Sequence, residues 1–445
     1  MDAIAAVAAG AARQSALLAA REITSRQLVE ATLDAVGKAD ARLNAVVATY
    51  AEQALAAADE ADRRRTTGDA GPLTGVPIAV KDDLGMAGEV TGWGSRAQVR
   101  PASADADLVA SLRAAGMVPV AKTTLPELAI CGFTETEAHG ITRNPVDPSR
   151  TPGGSSGGSA ALVGAGAIGI ATASDGAGSI RIPAACCGLV GFKPTHGHVP
   201  SSGSWHGMSS QGCVTPTLAD SALFLDTIGS FDDSLTEALD REPGTLRIGL
   251  STSGSAATRP ERLDPQVRAA LDRAAGVLAV AGHEVSEVTV PYGLDAKSLI
   301  VRYLRGIRDS ALSVDEPERL EARTKGIARL GTPFGRRALD WSIRQGEQFG
   351  ATVHARLGVD VLLMPVMSGP PIPVGHWRRQ RGLGLVLAMN AFYAYTAQWN
   401  HAGVPAVSMP AGTTVDGLPL AVQLVGRRGR DAELMSLAAQ LEGRL

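Results

Sequence analysis

The chain has 445 residues, of which 45% are hydrophobic and 20% charged, and a formal net charge of −3. That length holds one large domain or a few of roughly 100–200 residues, and the composition supports a sizeable core rather than disorder. The near-neutral balance, without long runs of like charge, argues against a dominant nucleic-acid or membrane-surface role.

Four cysteines without a Cys-x-x-Cys pair are no disulfide framework, which fits a reducing cytoplasm. The start, Met1-Asp2-Ala3-Ile4, has no basic segment, so a signal peptide is not expected. The longest apolar run, 160–173, is glycine-broken and shorter than the ~20 residues a bilayer needs.

Residues 1–66 read as helices, with Leu28, Ala31, Leu33 and Val36 forming a partial apolar stripe. A turn at 71–75 leads into a short buried strand at 76–81. A helix at 105–116 and a strand at 118–121 continue an α/β alternation. Residues 132–159 are loop-like, with Pro145, Pro148 and Pro152 before a run of glycine and serine. A helix at 159–166, a strand at 168–173, a tight turn at 175–179, a helix from Ser179 and a strand at 189–192 follow. Helices are expected at 217–229 and 265–281, and strands at 246–250 and 284–290. An arginine-rich helical stretch at 295–350 precedes strands at 359–365, 404–409 and 418–425 and a last helix from Asp431. No repeat or linker divides the chain, so one domain over 1–445 is expected.

Three motifs compete in residues 150–180. Gly164-Ala165-Gly166-Ala167-Ile168-Gly169 matches G-x-G-x-x-G, but a dinucleotide site needs an acid about 20 residues on. The only acid between Asp147 and Asp220 is Asp175, which comes far too early. G-x-S-x-G occurs twice, around Ser155 and Ser156, but prolines precede it where a nucleophile elbow needs a central strand.

The third reading joins Lys81 to the serine-glycine segments. Gly176, Ala177, Gly178 and Ser179 can turn successive N–H groups toward one point, a nest suited to an oxyanion. A serine nucleophile needs a base, and no histidine lies in 140–195. A lysine ending a buried strand loses its proton more readily and can serve. The plainer readings are an ion pair of Lys81 with Asp82 or Asp83, and glycines that act as a flexible linker.

Taken together, three segments closely resemble the amidase signature family. They are Gly75-Val76-Pro77-Ile78-Ala79-Val80-Lys81-Asp82, Gly153-Gly154-Ser155-Ser156-Gly157-Gly158-Ser159 and Ser174-Asp175-Gly176-Ala177-Gly178-Ser179-Ile180-Arg181. Residues 187–195 and 417–426 extend the likeness, which is weakest over 230–350.

The resemblance implies an α/β fold: a single large domain with a central mixed, mostly parallel twisted sheet covered by helices on both faces. Within it, 66–230 would be the signature core, and 231–350 a variable, mainly helical pocket region. It implies hydrolysis of a carboxylic amide, and plausibly an ester, through an acyl-enzyme. Ser179 would be the nucleophile, Ser155 a proton bridge held by a cis peptide bond, and Lys81 the base. The N–H groups of Gly176, Ala177, Gly178 and Ser179 would form the oxyanion hole. Asp175 and Arg181 would brace the nucleophile turn, and Ser156 would cap a helix or support the site by a hydrogen bond. Ile130, Cys131 and Gly132 are expected beside the substrate. Met389, Phe392, Tyr393 and Trp399 are candidate pocket walls, although core packing is the commoner role for such residues.

No cofactor and no metal is expected. The expected partner is a small-molecule amide, with no nucleic acid and no membrane, and a homodimer is allowed. The location expected is cytoplasmic. Alternatives are the amidase subunit of a tRNA-dependent amidotransferase and an inactive binding homologue. Three departures from the family pattern stand out. Ala177 replaces a usual glycine, Asp83 a common asparagine and Cys213 a common glycine. Neither Asp83 nor Cys213 is expected to be catalytic.

Overall fold

Strands that are apolar along their whole length need cover on both sides. In β2 (Pro77–Lys81), Ile78 and Val80 join one apolar cluster while Ala79 joins another. In β9 (Val361–Pro365), Val361 and Leu363 join the first cluster, while Leu362 and Met364 join a third. The alternation follows from the two-residue period of a strand. These elements come from a computed structural model that describes residues 2–201, 204–255 and 261–445.

The remaining strands are β1 (Val46–Thr49), β3 (Val118–Thr123), β4 (Ala171–Asp175), β5 (Val190–Lys193), β6 (Ser210–Thr215), β7 (Arg247–Leu250), β8 (Glu284–Glu287), β10 (Ala406–Thr413) and β11 (Pro419–Val425). Together with β2 and β9 they form one eleven-stranded sheet, ordered β1-β3-β2-β4-β6-β5-β10-β11-β9-β7-β8. The sheet is mixed and helix-covered, as expected. Its parallel pairing lies in two blocks, β3-β2-β4 and β9-β7-β8, with antiparallel neighbours between them.

Helices Asp107–Ala114 and Pro265–Val280 contribute Leu108, Leu112, Leu271 and Leu278 to one cluster. Helices Ser25–Leu43 and Asp295–Ser313 contribute Val29, Val36, Leu304 and Ile307 to the other. Among the described residues, no helix is long and apolar enough to cross a membrane.

Two strands of this sheet were absent from the sequence reading. β1 lies inside the segment read as helical. It is a four-residue edge strand pairing antiparallel with β3, and its alanine-rich surroundings hid it. β6, Ser-Gln-Gly-Cys-Val-Thr, is buried throughout yet mostly polar, so it lacks the apolar run that marks a central strand.

The parallel block β3-β2-β4 positions the chemistry. Strands that run the same way end on the same side, and the crevice beyond their carboxyl ends is where α/β sheets bind ligands. β2 ends at Lys81 and β4 at Asp175, so Lys81 and the turn at 176–179 open onto one edge.

Candidate active site

Lys81 is fully buried, and its backbone N–H donates to Thr172 Oγ1 on β4 at 2.8 Å. The side chain runs on to a cluster of serines. Nζ donates to Ser155 Oγ at 2.8 Å and to Ser174 Oγ at 2.7 Å. The Gly154–Ser155 peptide bond is cis. Burial lowers the Lys81 pKa, while the nearby Asp83 carboxylate partly offsets it.

The two plainer readings of Lys81 separate here. Asp82 turns away and pairs with buried Lys122 at 2.9 Å. Burial pushes the Asp82 carboxyl up to about 6 in spite of that pair. Asp83 does face Lys81, with Oδ2 3.3 Å from Nζ. The same carboxylate accepts a hydrogen bond from Ser174. Position 83, expected not to be catalytic, thus sits in direct contact with Lys81, as the ion-pair reading had allowed. Its bond from Ser174 had no local signal, because Ser174 lies 91 residues along the chain.

The glycine run is packed rather than a flexible linker. A Cβ on Gly154 would lie 2.7 Å from both Cys131 O and Phe133 N. That closeness joins the Ser155 loop to the 130–132 segment. Ser156 stands at the start of helix Gly157–Gly164 but makes no cap bond. Its hydroxyl instead donates to Ser174 O at 3.4 Å.

The nucleophile turn follows β4. Ser179 is 8% exposed and faces a cleft. Gly178 has φ +120°, and a Cβ there would lie 2.5 Å from Thr396 Oγ1. Ala177 lies outside the positive-φ residues, so its Cβ is accommodated, and its carbonyl accepts from Thr396 Oγ1 at 2.7 Å.

Of the expected oxyanion donors, the Gly178 N–H donates to Asp175 Oδ1 at 2.5 Å and is thus engaged inside the turn.

Asp175 and Arg181 form a buried two-point pair, Nε to Oδ2 at 3.0 Å and Nη2 to Oδ1 at 3.1 Å. Burial pushes the Asp175 carboxyl up. The Arg181 charge and hydrogen bonds outweigh this and hold it well below the carboxylate range. Three residues given no role in the sequence reading complete the network. Arg181 donates to Gln423 Oε1 at 3.0 Å, Asn400 Oδ1 at 2.6 Å and Thr396 O at 3.1 Å. Gln423 lay within the 417–426 likeness and so carried a signal. Thr396 and Asn400 carried none.

The cleft beside Ser179 is open to solvent, with about 710 Å³ of empty space when that solvent is included. Ile130, Cys131 and Gly132 form one wall, as expected. Met389 and Tyr393 line it too, whereas Phe392 and Trp399 do not. Trp399 stacks on Phe349 at 6.1 Å, and Phe392 packs edge-on against Trp377 and Tyr393. The opposite side is built by Trp205, Leu299, Ile300, Tyr303 and Leu304, of which the sequence reading named none singly.

Among the described residues, no side chain lining the cleft is charged. Tyr303 and Tyr393 spend their hydroxyls on Ile130 O at 3.1 Å and Gly132 O at 2.7 Å. Burial pushes the Cys131 thiol up to about 12, so it stays protonated.

The amidase family profile matches residues 27–435. The chain belongs to the amidase signature family. It is 41% identical to "Putative amidase AmiB2" of Mycobacterium tuberculosis (strain ATCC 25618 / H37Rv), over 98% of this chain and 96% of that one. The solved structure of a 6-aminohexanoate cyclic dimer hydrolase in complex with substrate superposes with a TM-score of 0.86 at 29% identity, covering 98% and 97% of the two chains. A bacterial aryl acylamidase of the same family superposes at 0.85 with 25% identity, covering 98% and 96%. This amidase is therefore an enzyme of amide hydrolysis by family.

Proposed function

We propose that this amidase hydrolyses uncharged amides bearing an apolar substituent, through an acyl-enzyme on Ser179. The observation that carries the reading is the buried bond from Lys81 Nζ to Ser155 Oγ, at the edge of a cleft that holds Ser179 and, among the described residues, no charged side chain.

In this reading neutral Lys81 accepts the Ser155 hydroxyl proton as Ser155 accepts the proton of Ser179. The Ser179 oxygen bonds to the amide carbon, and the carbonyl π pair moves onto oxygen. The N–H groups of Gly176, Ala177 and Ser179 receive that oxyanion, each such donor being worth about 3–4 kcal/mol. Gly178 contributes by pinning the turn to Asp175. The proton returns through Ser155 to the amine as the C–N bond breaks. Water then adds to the ester by the same route, releasing acid and free Ser179.

The preference for apolar groups follows from desolvation. A carboxylate or ammonium entering this cleft would lose its hydration and meet no partner charge. Each methylene removed from water contributes about 0.8 kcal/mol, roughly fourfold in kcat/KM when it is realised in the transition state.

The test is a series from acetamide to hexanamide, with adipamic acid and 6-aminohexanamide as charged counterparts. The rate constant kcat/KM should climb along the neutral series and drop for both charged compounds. Ser179→Ala should cut turnover by at least about a thousandfold. It should also abolish the covalent adduct with a fluorophosphonate, seen by intact mass. An adduct that survives Ser179→Ala would refute the nucleophile, and a flat or charge-preferring series would refute the substrate class.

A further inference from the structure

We propose that Asp83 sets the proton affinity of Lys81 and aims its lone pair at Ser155. The proposal rests on Lys81 acting as the base.

Lys81 Nζ has three neighbours: Ser174 Oγ at 2.7 Å, Ser155 Oγ at 2.8 Å and Asp83 Oδ2 at 3.3 Å. An ammonium has three protons to place there. A neutral amine has two protons and one lone pair, so one neighbour must become a donor. Ionised Asp83 cannot donate. Ser174 gives its own proton to Asp83 and so presents a lone pair to the amine. Both N–H bonds are thereby claimed by Ser174 and Asp83. The lone pair is left facing Ser155, the only one of the three with a proton free to move. Asp83 thus fixes the direction of transfer as well as the charge around it.

Of the carboxylates that raise the proton affinity of Lys81, Asp83 acts most strongly, with Asp175 behind it. Asp82 is committed to Lys122, and Asp175 to Arg181. Asp83 Oδ1 is buried and has no hydrogen-bond partner among the described residues. Its negative charge is therefore compensated chiefly through Oδ2, by Lys81 and Ser174. An opposite charge at this range raises a lysine's proton affinity, typically by one to three pK units among buried pairs. Burial acts the other way. The outcome is a base that becomes neutral at a higher pH than burial alone would set. Asparagine at this position would keep an acceptor oxygen and lose the charge.

The test compares wild type with Asp83→Asn in the full chain, using the pH profile of hexanamide kcat/KM and of fluorophosphonate labelling at Ser179. The acid limb should move to lower pH by about one unit or more in Asp83→Asn. Asp83→Ala removes the acceptor too. It should move the limb the same way and also lower the plateau about tenfold or more, and it serves if the asparagine variant fails to fold. A limb that stays put or moves to higher pH in a folded variant overturns the role of Asp83. Lys81→Ala separates the two levels. If wild type labels and turns over but its limb survives Lys81→Ala, the base assignment fails, and this proposal with it.

Discussion

At the scale of single residues, the nucleophile turn is held by contacts with little tolerance. Gly178 combines a φ of +120° with a Cβ direction that Thr396 Oγ1 already fills. Gly178→Ala is expected to cost about 2 kcal/mol or more and to displace the neighbouring N–H groups. Urea melts read the first effect and hexanamide turnover the second. Stability equal to wild type would show that the turn relaxes freely. Lys81, Ser155 and Ser179 were legible in the sequence because each sits in a contiguous segment of recognisable residues. The Lys81–Asp83 pair was legible too, but the bonds from Ser174 to Asp83 and from Thr396 to Ala177 were not, because those partners lie 91 and 219 positions away. Chain order carries no record of such meetings.

At the scale of elements, one ion pair fastens the end of β4 to the helix Arg181–Cys187. Asp175 holds the first residue of that helix and the Gly178 N–H between them. Asn400 Nδ2 braces the same carboxylate from helix Ala397–His401 at 2.8 Å. Removing one partner of a buried pair strands the other charge, typically at about 3–5 kcal/mol. Asp175→Ala is therefore expected to lower stability by that amount and to abolish turnover. Replacing both partners with apolar residues should restore much of the stability and none of the turnover, and a double-mutant cycle in urea measures the difference. Strands with continuous apolar runs, such as β2, β9 and β11, were legible from composition alone. β1 and β6 were not, since one is short and the other buries the polar side chains of Ser210, Gln211 and Thr215 instead of an apolar run.

At the scale of the whole molecule, buried titratable groups tie stability to pH. His354 and His401 pack behind the sheet and are kept neutral by burial, with pKa values lowered to about 4 and about 3. Arg302, whose Nη1 lies 3.5 Å from His401 Nδ1, adds to the effect there. The unfolded chain takes up a proton near 6.5 that the folded His401 refuses until about 3. Between those values the unfolded state binds more protons, so this contribution is present above 6.5 and is lost as pH falls toward 3. His401→Asn should flatten the acid side of the stability curve by up to about 1.4 kcal/mol per pH unit. Thermal melts between pH 7 and 4 check it, and parallel curves would contradict it. Asp82 and Glu321, raised to about 6 and about 7 by burial, act in the opposite sense. The variant must therefore be read against wild type at each pH.

The six lysines divide evenly. Lys81, Lys122 and Lys193 are buried, while Lys38 and Lys297 are exposed and Lys325 is partly so. An amine-selective acylating reagent should therefore decorate three sites on the native protein and reach the other three only as it opens. Peptide mapping of that second set gives the molecule its own gauge of unfolding, with no added probe. It also marks which amines can tether the enzyme to a solid support without touching the proposed base.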